Sequence, residues 1–332
     1  MRGAGRKNRG REMTGVGRPP PRGNNKLGTR RPTLIVNGMQ RDGLCSPPPK
    51  GNIMSDTAHD TEPLASSCMR DMQTKGFSII RGALGPEQVR QLRMTIESHF
   101  RRAGRMQYGG KIQLRALQNV RGLADTALTL DLANVVRRHV GATEPLLTGE
   151  CDVMMNTTSD WHKDITADMK LGTEMYGDHD FAVYKVAIYL QDQTNGSKAA
   201  LRVRPGSQVM ADGSALPAER LETRAGDVVV FDVRLDHAGQ PPDLATRILR
   251  LLTKPLARIT GQDAEALLTR CRAVLLRGKP DRIAFFMTFG PDNYWTRMYE
   301  QAGRHRHGPG GHLLPQTSDS LRDLNLGIIE QA

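Results

Sequence analysis

The chain has 332 residues, of which 38 % are apolar and 25 % charged, and its formal net charge is +12. That length suits one large domain and excludes a chain too short to bury a core. Cys45, Cys68, Cys151 and Cys271 lie far apart and form no CxxC pair, which excludes a disulfide framework or zinc ribbon and implies a reducing, cytoplasmic setting.

The basic balance is local. Residues 1–53 hold 12 Lys and Arg against only Glu12 and Asp42, so +10 of the total +12 belongs to them. Residues 1–62 are also rich in Gly and Pro and keep no helical or strand period, so they read as a disordered basic tail. A nucleic-acid arm or polyanion tether is conceivable there, but a solvated tail is the plainer reading, and nucleic acid is not an expected partner. No apolar run approaches the roughly 18 residues that a bilayer span needs, so no membrane partner is expected either.

Order is expected from about residue 63. A helix over 63–75 closes at Gly76, and Phe77 to Ile80 reads as a short strand. Gly85-Pro86-Glu87 opens a helix with Pro in its first turn. In it Val89, Leu92, Ile96 and Phe100 recur at helical spacing before Gly104. A further amphipathic helix is read over 123–139, with Leu128, Leu132, Val135 and Val136 inward and Gly141 as its stop. From 145 the texture changes to short apolar or alternating runs: 146–156, 181–191, 201–204, 228–233 and 283–289. Such runs between turn signals indicate an antiparallel barrel or jelly roll. One helix, about 262–277, interrupts it. A last helix, about 292–303, carries Tyr294, Trp295, Met298 and Tyr299. Residues 304–332 read as a polar C-terminal tail.

The first chemical signal is Trp161-His162-Lys163-Asp164. In extended chain, residues two apart point the same way, so His162 and Asp164 aim an imidazole and a carboxylate at one point. Alone, an HxD pair is weak and reads as surface polarity. His237 strengthens it, because it follows the turn and strand of Gly226 to Asp232. Two His and one carboxylate on one face suit Fe(II) and leave coordination positions open.

Several segments then fall in collinear order. Asn156 to Asp164 (NTTSDWHKD) resembles the first metal loop of the phytanoyl-CoA dioxygenase family. Val183 to Asp192 is similar to the strand that follows it. Leu201 to Gln208 (LRVRPGSQ) resembles the family's L-x-x-x-P-G-S-H element, with Gln208 where His is frequent. Gly226 to Gly239 is similar to the strand and loop of the distal metal His. Arg282 to Gly290 (RIAFFMTFG) resembles the last core strand, which opens with the co-substrate Arg. The resemblance spans about 70–300.

That resemblance implies a mainly β fold with helices (α+β): a double-stranded β-helix, or cupin-like jelly roll, buttressed by N-terminal helices, with residues 63–303 as the oxygenase domain. It implies an Fe(II)- and 2-oxoglutarate-dependent oxygenase that uses O2 and releases succinate and CO2. His162, Asp164 and His237 would be the catalytic iron ligands. Arg282 would hold the distal carboxylate of 2-oxoglutarate, since a guanidinium fork pairs bidentately with carboxylate and keeps its charge. Arg247 competes by its short spacing from His237; Arg282 is favoured because it begins an apolar strand. Lys185, in mid-strand among Val183, Val186 and Ile188, could also meet the co-substrate, or snorkel from a sheet edge. The expected reaction is hydroxylation of an unactivated C–H bond in a small molecule. The alternative is a cupin-fold metal protein or binding module that does not use 2-oxoglutarate.

Other residues have plainer readings. His305, His307 and His312 make a poor metal cage in a Gly-rich stretch. Arg137-Arg138-His139 suits the negative end of a helix. Trp161 could wall the pocket or fill the core. Asp160 and Asp236 could each orient a neighbouring imidazole.

Overall fold

The structure is a computed structural model that describes residues 61–165, 171–307 and 315–329. The expected tail therefore lies almost wholly outside the described residues, as do Cys45 and His312.

Two helices lead into the sheet. Helix α1 (Thr61–Lys75) ends at Gly76, whose φ of +79° lets the chain reverse, and strand β1 (Phe77–Ile80) follows at once. Helix α2 (Pro86–Arg102) starts at Pro86 and buries Val89, Leu92, Ile96 and Phe100, as their spacing predicts. Each such side chain contributes about 1.5–3 kcal/mol by leaving water. A short hairpin follows, β2 (Arg105–Gln107) and β3 (Gly110–Gln113). Gly110 has no substitute there: a Cβ would lie 2.3 Å from the Met155 carbonyl oxygen.

The single helix expected over 123–139 is corrected. After α3 (Ala116–Asn119), the chain forms α4 (Leu123–Ala127) and then α5 (Leu130–Val140). Thr129 causes the break: it is extended and its side chain accepts the Leu132 N–H, a standard way to start a new helix. Gly141 ends α5 at φ +70°, as expected.

The β core comprises β4 (Leu146–Met155), β5 (Tyr184–Tyr189), β6 (Leu201–Val203), β7 (Glu219–Leu221), β8 (Val228–Asp232), β9 (His237–Ala238) and β10 (Ile283–Gly290). One sheet has the order β1-β8-β5-β10-β4-β3-β2, and a small sheet has the order β7-β6-β9. All of these pairings are antiparallel. Helices α2, α4 and α5 cover one face of the large sheet through Val186, Ile188, Val228, Val230, Phe285 and Met287. The other face, with Ala187, Tyr189, Val229, Phe231 and Ala284, packs on Leu201, Val203 and Leu221 of the small sheet. This is the expected jelly roll, two antiparallel sheets closed face to face, with helices on the larger.

Two further expectations are corrected. Between β9 and β10 stand two helices, α6 (Leu244–Thr260) and α7 (Ala264–Leu275), where one was read. The stretch from Arg304 is also not simply a polar tail. Helix α8 (Tyr294–His307) runs through it, α9 (Pro315–Asp323) follows, and β11 (Gly327–Ile328) pairs in parallel with β4. Leu321 and Leu326 are buried in the helix-side core. Their apolar positions are too few to register as a pattern.

Candidate metal centre

Strand alternation decides what faces the space between the sheets. In β5, Lys185 shares a face with Ala187 and Tyr189. In β4, Glu150 and Asp152 alternate with Cys151 and Val153, which point to the helices. All three charged residues are buried. The interior of the barrel is therefore polar at one end.

His162 and His237 meet there as a two-residue bridge. Each donates its backbone N–H to the other's carbonyl at 2.9 Å, and their rings stand 4.3 Å apart. The Oδ1 atom of Asp164 lies 3.9 Å from Nε2 of His162 and 3.7 Å from Nε2 of His237. One ligand atom from each of the three side chains falls within 4.8 Å of the others. The tautomers follow from the partners. Nδ1 of His162 contacts the Asp160 carbonyl at 2.8 Å, and Nδ1 of His237 the Leu235 carbonyl at 3.0 Å. A carbonyl only accepts, so each Nδ1 carries the proton and each Nε2 offers its lone pair to a common point. The Asp160 and Asp236 carboxylates do not do this orienting. Asp160 acts through its backbone, and the Asp236 carboxylate lies 3.4 Å from buried Lys163.

The electrostatics keep this donor set ready. Burial pushes the His237 imidazole down to about 4, only partly offset by Asp164, so the ring is neutral at ordinary pH. Burial also raises Asp164, but Lys185, then His237 and His162, outweigh it and hold the carboxyl well below its usual range. Lys185 lies 2.9 Å from Asp164 and 3.5 Å from Glu150. Burial alone would discharge it, yet Asp164 and Glu150 raise it above the ordinary lysine value. It does not snorkel from an edge; β5 lies between β8 and β10. Tyr299 of α8 donates to Glu150, which anchors the network from behind. Glu150 and Asp152 had no reading as site neighbours in the sequence, and Tyr299 was read first as packing of the last helix, with substrate contact the lesser alternative. The signal that could have found the two acids is their spacing of two within β4.

Asp152 makes a testable point. Burial first, then Glu150, pushes its carboxyl up to about 7, against the pull of Lys185. Between the usual value and 7 the folded chain holds a proton that the unfolded chain has lost, so stability falls as pH rises through that window. Asp152→Asn has no such slope and can still accept the Arg115 N–H. Its advantage over the wild type should grow from pH 4 to 7 and level off above, at up to about 4 kcal/mol. Urea denaturation at pH 5 and pH 8 checks this; an equal effect at both values would refute it.

Arg282 and Arg247 are separated by the structure. Arg247 is on exposed α6, and its Nε donates to the Pro242 carbonyl. Arg282 enters β10 on the interior side. It reaches the Thr157 carbonyl at 3.3 Å, and its Nε is buried without a partner. The Tyr189 hydroxyl, also buried, lacks a partner too. Burial lifts that phenol to about 12 despite Arg282. A guanidinium with a free Nε and a neutral hydroxyl without a partner, in one interior, form a donor pair that fits a carboxylate.

The remaining aromatic residues resolve simply. Trp161 is half-buried and belongs to none of the apolar core clusters. Arg204 stacks 4.2 Å above its ring and Arg202 at 5.1 Å. Trp295 and Tyr299 are buried in the packing of α8, whereas Tyr294 is exposed. Arg137 caps carbonyls by bonding to Leu324, which supports a structural role for that basic cluster.

No family model matches the sequence, and no curated protein does. Among solved structures, one match is the non-heme alpha ketoglutarate dependent epimerase SnoN from nogalamycin biosynthesis. Its TM-score is 0.51 at 14 % identity, over 76 % of this chain and 93 % of SnoN. The chain is similar in fold to SnoN. A second SnoN structure, in complex with Fe3+, alpha ketoglutarate and nogalamycin RO, gives 0.50 at 13 % identity, over 76 % of this chain and 94 % of SnoN. The expected jelly roll is thus the fold of a known 2-oxoglutarate-dependent enzyme.

Proposed function

We propose that this chain is an Fe(II)- and 2-oxoglutarate-dependent oxygenase of the phytanoyl-CoA dioxygenase type that hydroxylates a C–H bond of a small molecule. The observation that carries it is the convergence of His162, Asp164 and His237 in the same barrel interior as Arg282, whose Nε has no partner. SnoN supports the class by fold, and SnoN itself is alpha ketoglutarate dependent and has been seen in complex with Fe3+ and alpha ketoglutarate.

In this reading His162, Asp164 and His237 hold Fe(II) on one face. Arg282, with the Tyr189 hydroxyl, holds the distal carboxylate of 2-oxoglutarate. Bound there, the iron and its co-substrate supply the power to oxidise an unreactive C–H bond with O2, giving succinate and CO2. The chain itself orients the ligands through two backbone carbonyls and keeps Asp164 ionised through Lys185. It also walls the interior with Phe231, whose ring stands 4.8 Å from that of His237, and with Ala284, which pairs with Tyr189. Lys185 is a positioning residue here: its ammonium is committed to Asp164 and Glu150 rather than to the co-substrate.

The test needs no substrate. Purified protein with Fe(II) and 2-oxoglutarate, without oxygen, should develop a visible charge-transfer band, and His162→Ala should abolish it. No band in folded, metal-loaded protein would mean a cupin-fold metal protein without 2-oxoglutarate use.

A further inference from the structure

Of the exposed large apolar side chains among the described residues, six fall on α6: Leu244, Ile248, Leu251, Leu252, Leu256 and Ile259. Leu251 is 75 % exposed and Ile259 82 %. At about 3.6 residues per turn these six fill one continuous face. The buried side chains of the helix, Thr246, Thr253 and Ala257, lie on the opposite face. The apolar stripe thus points directly away from the protein. Val274 and Leu275 are also exposed, on α7, which packs against α6. Arg247, Lys254 and Arg258 line one flank of α6, Arg250 turns inward and donates to the Thr158 hydroxyl at 2.9 Å, and the helix contains no carboxylate.

That charge pattern selects the occupant. A second copy packed antiparallel about a two-fold axis would set the two cationic flanks side by side, with no carboxylate on either helix to answer them. Residues 1–53 of the same chain are a poor cover as well, since they carry +10 themselves. An anionic lipid surface satisfies both halves of the pattern. It offers acyl chains to the leucines and phosphate or carboxylate headgroups to the cations.

We propose that α6 seats this chain on an anionic membrane surface, with its apolar face among the acyl chains and the three cations of its flank, Arg247, Lys254 and Arg258, at the headgroups. This is attachment and not a span: among the described residues no helix is long and apolar enough to cross a membrane. The basic segment 1–53 adds a second electrostatic signal, and stable attachment generally takes two. The proposal is independent of whether the metal centre is active.

The test is co-sedimentation of the full chain with phosphatidylcholine vesicles containing roughly one-third phosphatidylserine, against phosphatidylcholine alone. Binding to the anionic vesicles should be about tenfold stronger or more, and should fall as salt rises. Leu251→Glu/Leu252→Glu, at exposed positions, should lose about tenfold or more of it. Lys254→Glu/Arg258→Glu should lose only the preference for anionic lipid. Both variants should keep the wild-type circular dichroism. Absence of binding, equal binding to both vesicles, or binding unchanged in Leu251→Glu/Leu252→Glu would overturn the proposal. So would a micromolar dimer in sedimentation equilibrium that the leucine variant dissociates, which would assign the face to a second copy.

Discussion

Arg282→Ala is expected to weaken 2-oxoglutarate binding by about two orders of magnitude, while Arg247→Ala leaves it unchanged. A charge-assisted hydrogen bond contributes about 1.5–3 kcal/mol. Losing a fork that makes two of them, with some compensation from Tyr189, leaves a net loss near 3 kcal/mol, about a hundredfold in affinity. The guanidinium of Arg282 is half-buried, with an Nε that no other group satisfies, so no protein partner competes for that atom. Arg247 is exposed and already bonded to a backbone carbonyl. Titrating 2-oxoglutarate into the anaerobic Fe(II) protein and following the visible band gives both affinities directly. A loss in Arg247→Ala with none in Arg282→Ala would move the anchor to α6. Arg282→Lys should recover only part of the affinity, because a point charge replaces a planar fork.

Asp164→Ala should eliminate iron binding and also destabilise the metal-free protein, by about 3 kcal/mol. The second effect has a separate cause. Lys185 is buried against Asp164 at 2.9 Å and Glu150 at 3.5 Å. Removing Asp164 leaves that cation with one longer partner in a place water does not reach. Asp164→Ala/Lys185→Met should therefore regain most of the lost stability while iron binding stays absent. The sign of the pH dependence supports a clean measurement. Asp164 is depressed, so its contribution is present above the ordinary carboxyl value and lost only as pH falls through the lower folded one. Lys185 is raised, so its contribution is lost only as pH rises past the ordinary lysine value. Asp152 titrates near 7 beside this pair, so the coupling should be constant only below that transition, between about pH 5 and 6. Denaturant unfolding of the four proteins of the cycle at pH 5 and pH 6 checks it. If the double variant is no more stable than Asp164→Ala, the ion pair is not the cause.

The elements that the sequence revealed are those whose pattern has a single cause. In α2 the buried stripe and Pro86 agree, and in β8 an unbroken apolar run reports burial on both faces. His162 and Asp164 were legible because strand alternation alone aims them together. His237 was legible because a clear strand leads to it. Arg282 depended on the resemblance and on the apolar strand it opens, since spacing alone equally admitted Arg247. The misses also have particular causes. The β2–β3 hairpin turns at Tyr108-Gly109, both at positive φ; Tyr is not the usual residue for that turn, so its signal was weak. Pro255 stands inside α6 and reads as a break. The stretch 123–139 has a helical period on both sides of Thr129, and only the cap geometry divides it. Glu150 and Asp152 were overlooked because a charged residue in a strand is ordinarily a solvated one.

Asn156 joins the two halves of the candidate site. It sits at positive φ directly after β4, in the loop that runs to His162. Its backbone N–H donates to the Arg282 carbonyl at 2.9 Å, its side-chain oxygen accepts the Arg282 N–H at 2.9 Å, and its amide donates to Asp281 at 2.6 Å. Arg272 of α7 then grips the Asn156 carbonyl from outside the barrel. The strand end that launches the metal-ligand loop and the strand end that launches the anchor arginine are thus laced into one joint. Both ends belong to neighbouring strands of the large sheet. In the proposed reading, the spacing between the three metal ligands and Arg282 is consequently a dimension set by the scaffold, and variation among loops elsewhere can reshape what is admitted without changing it.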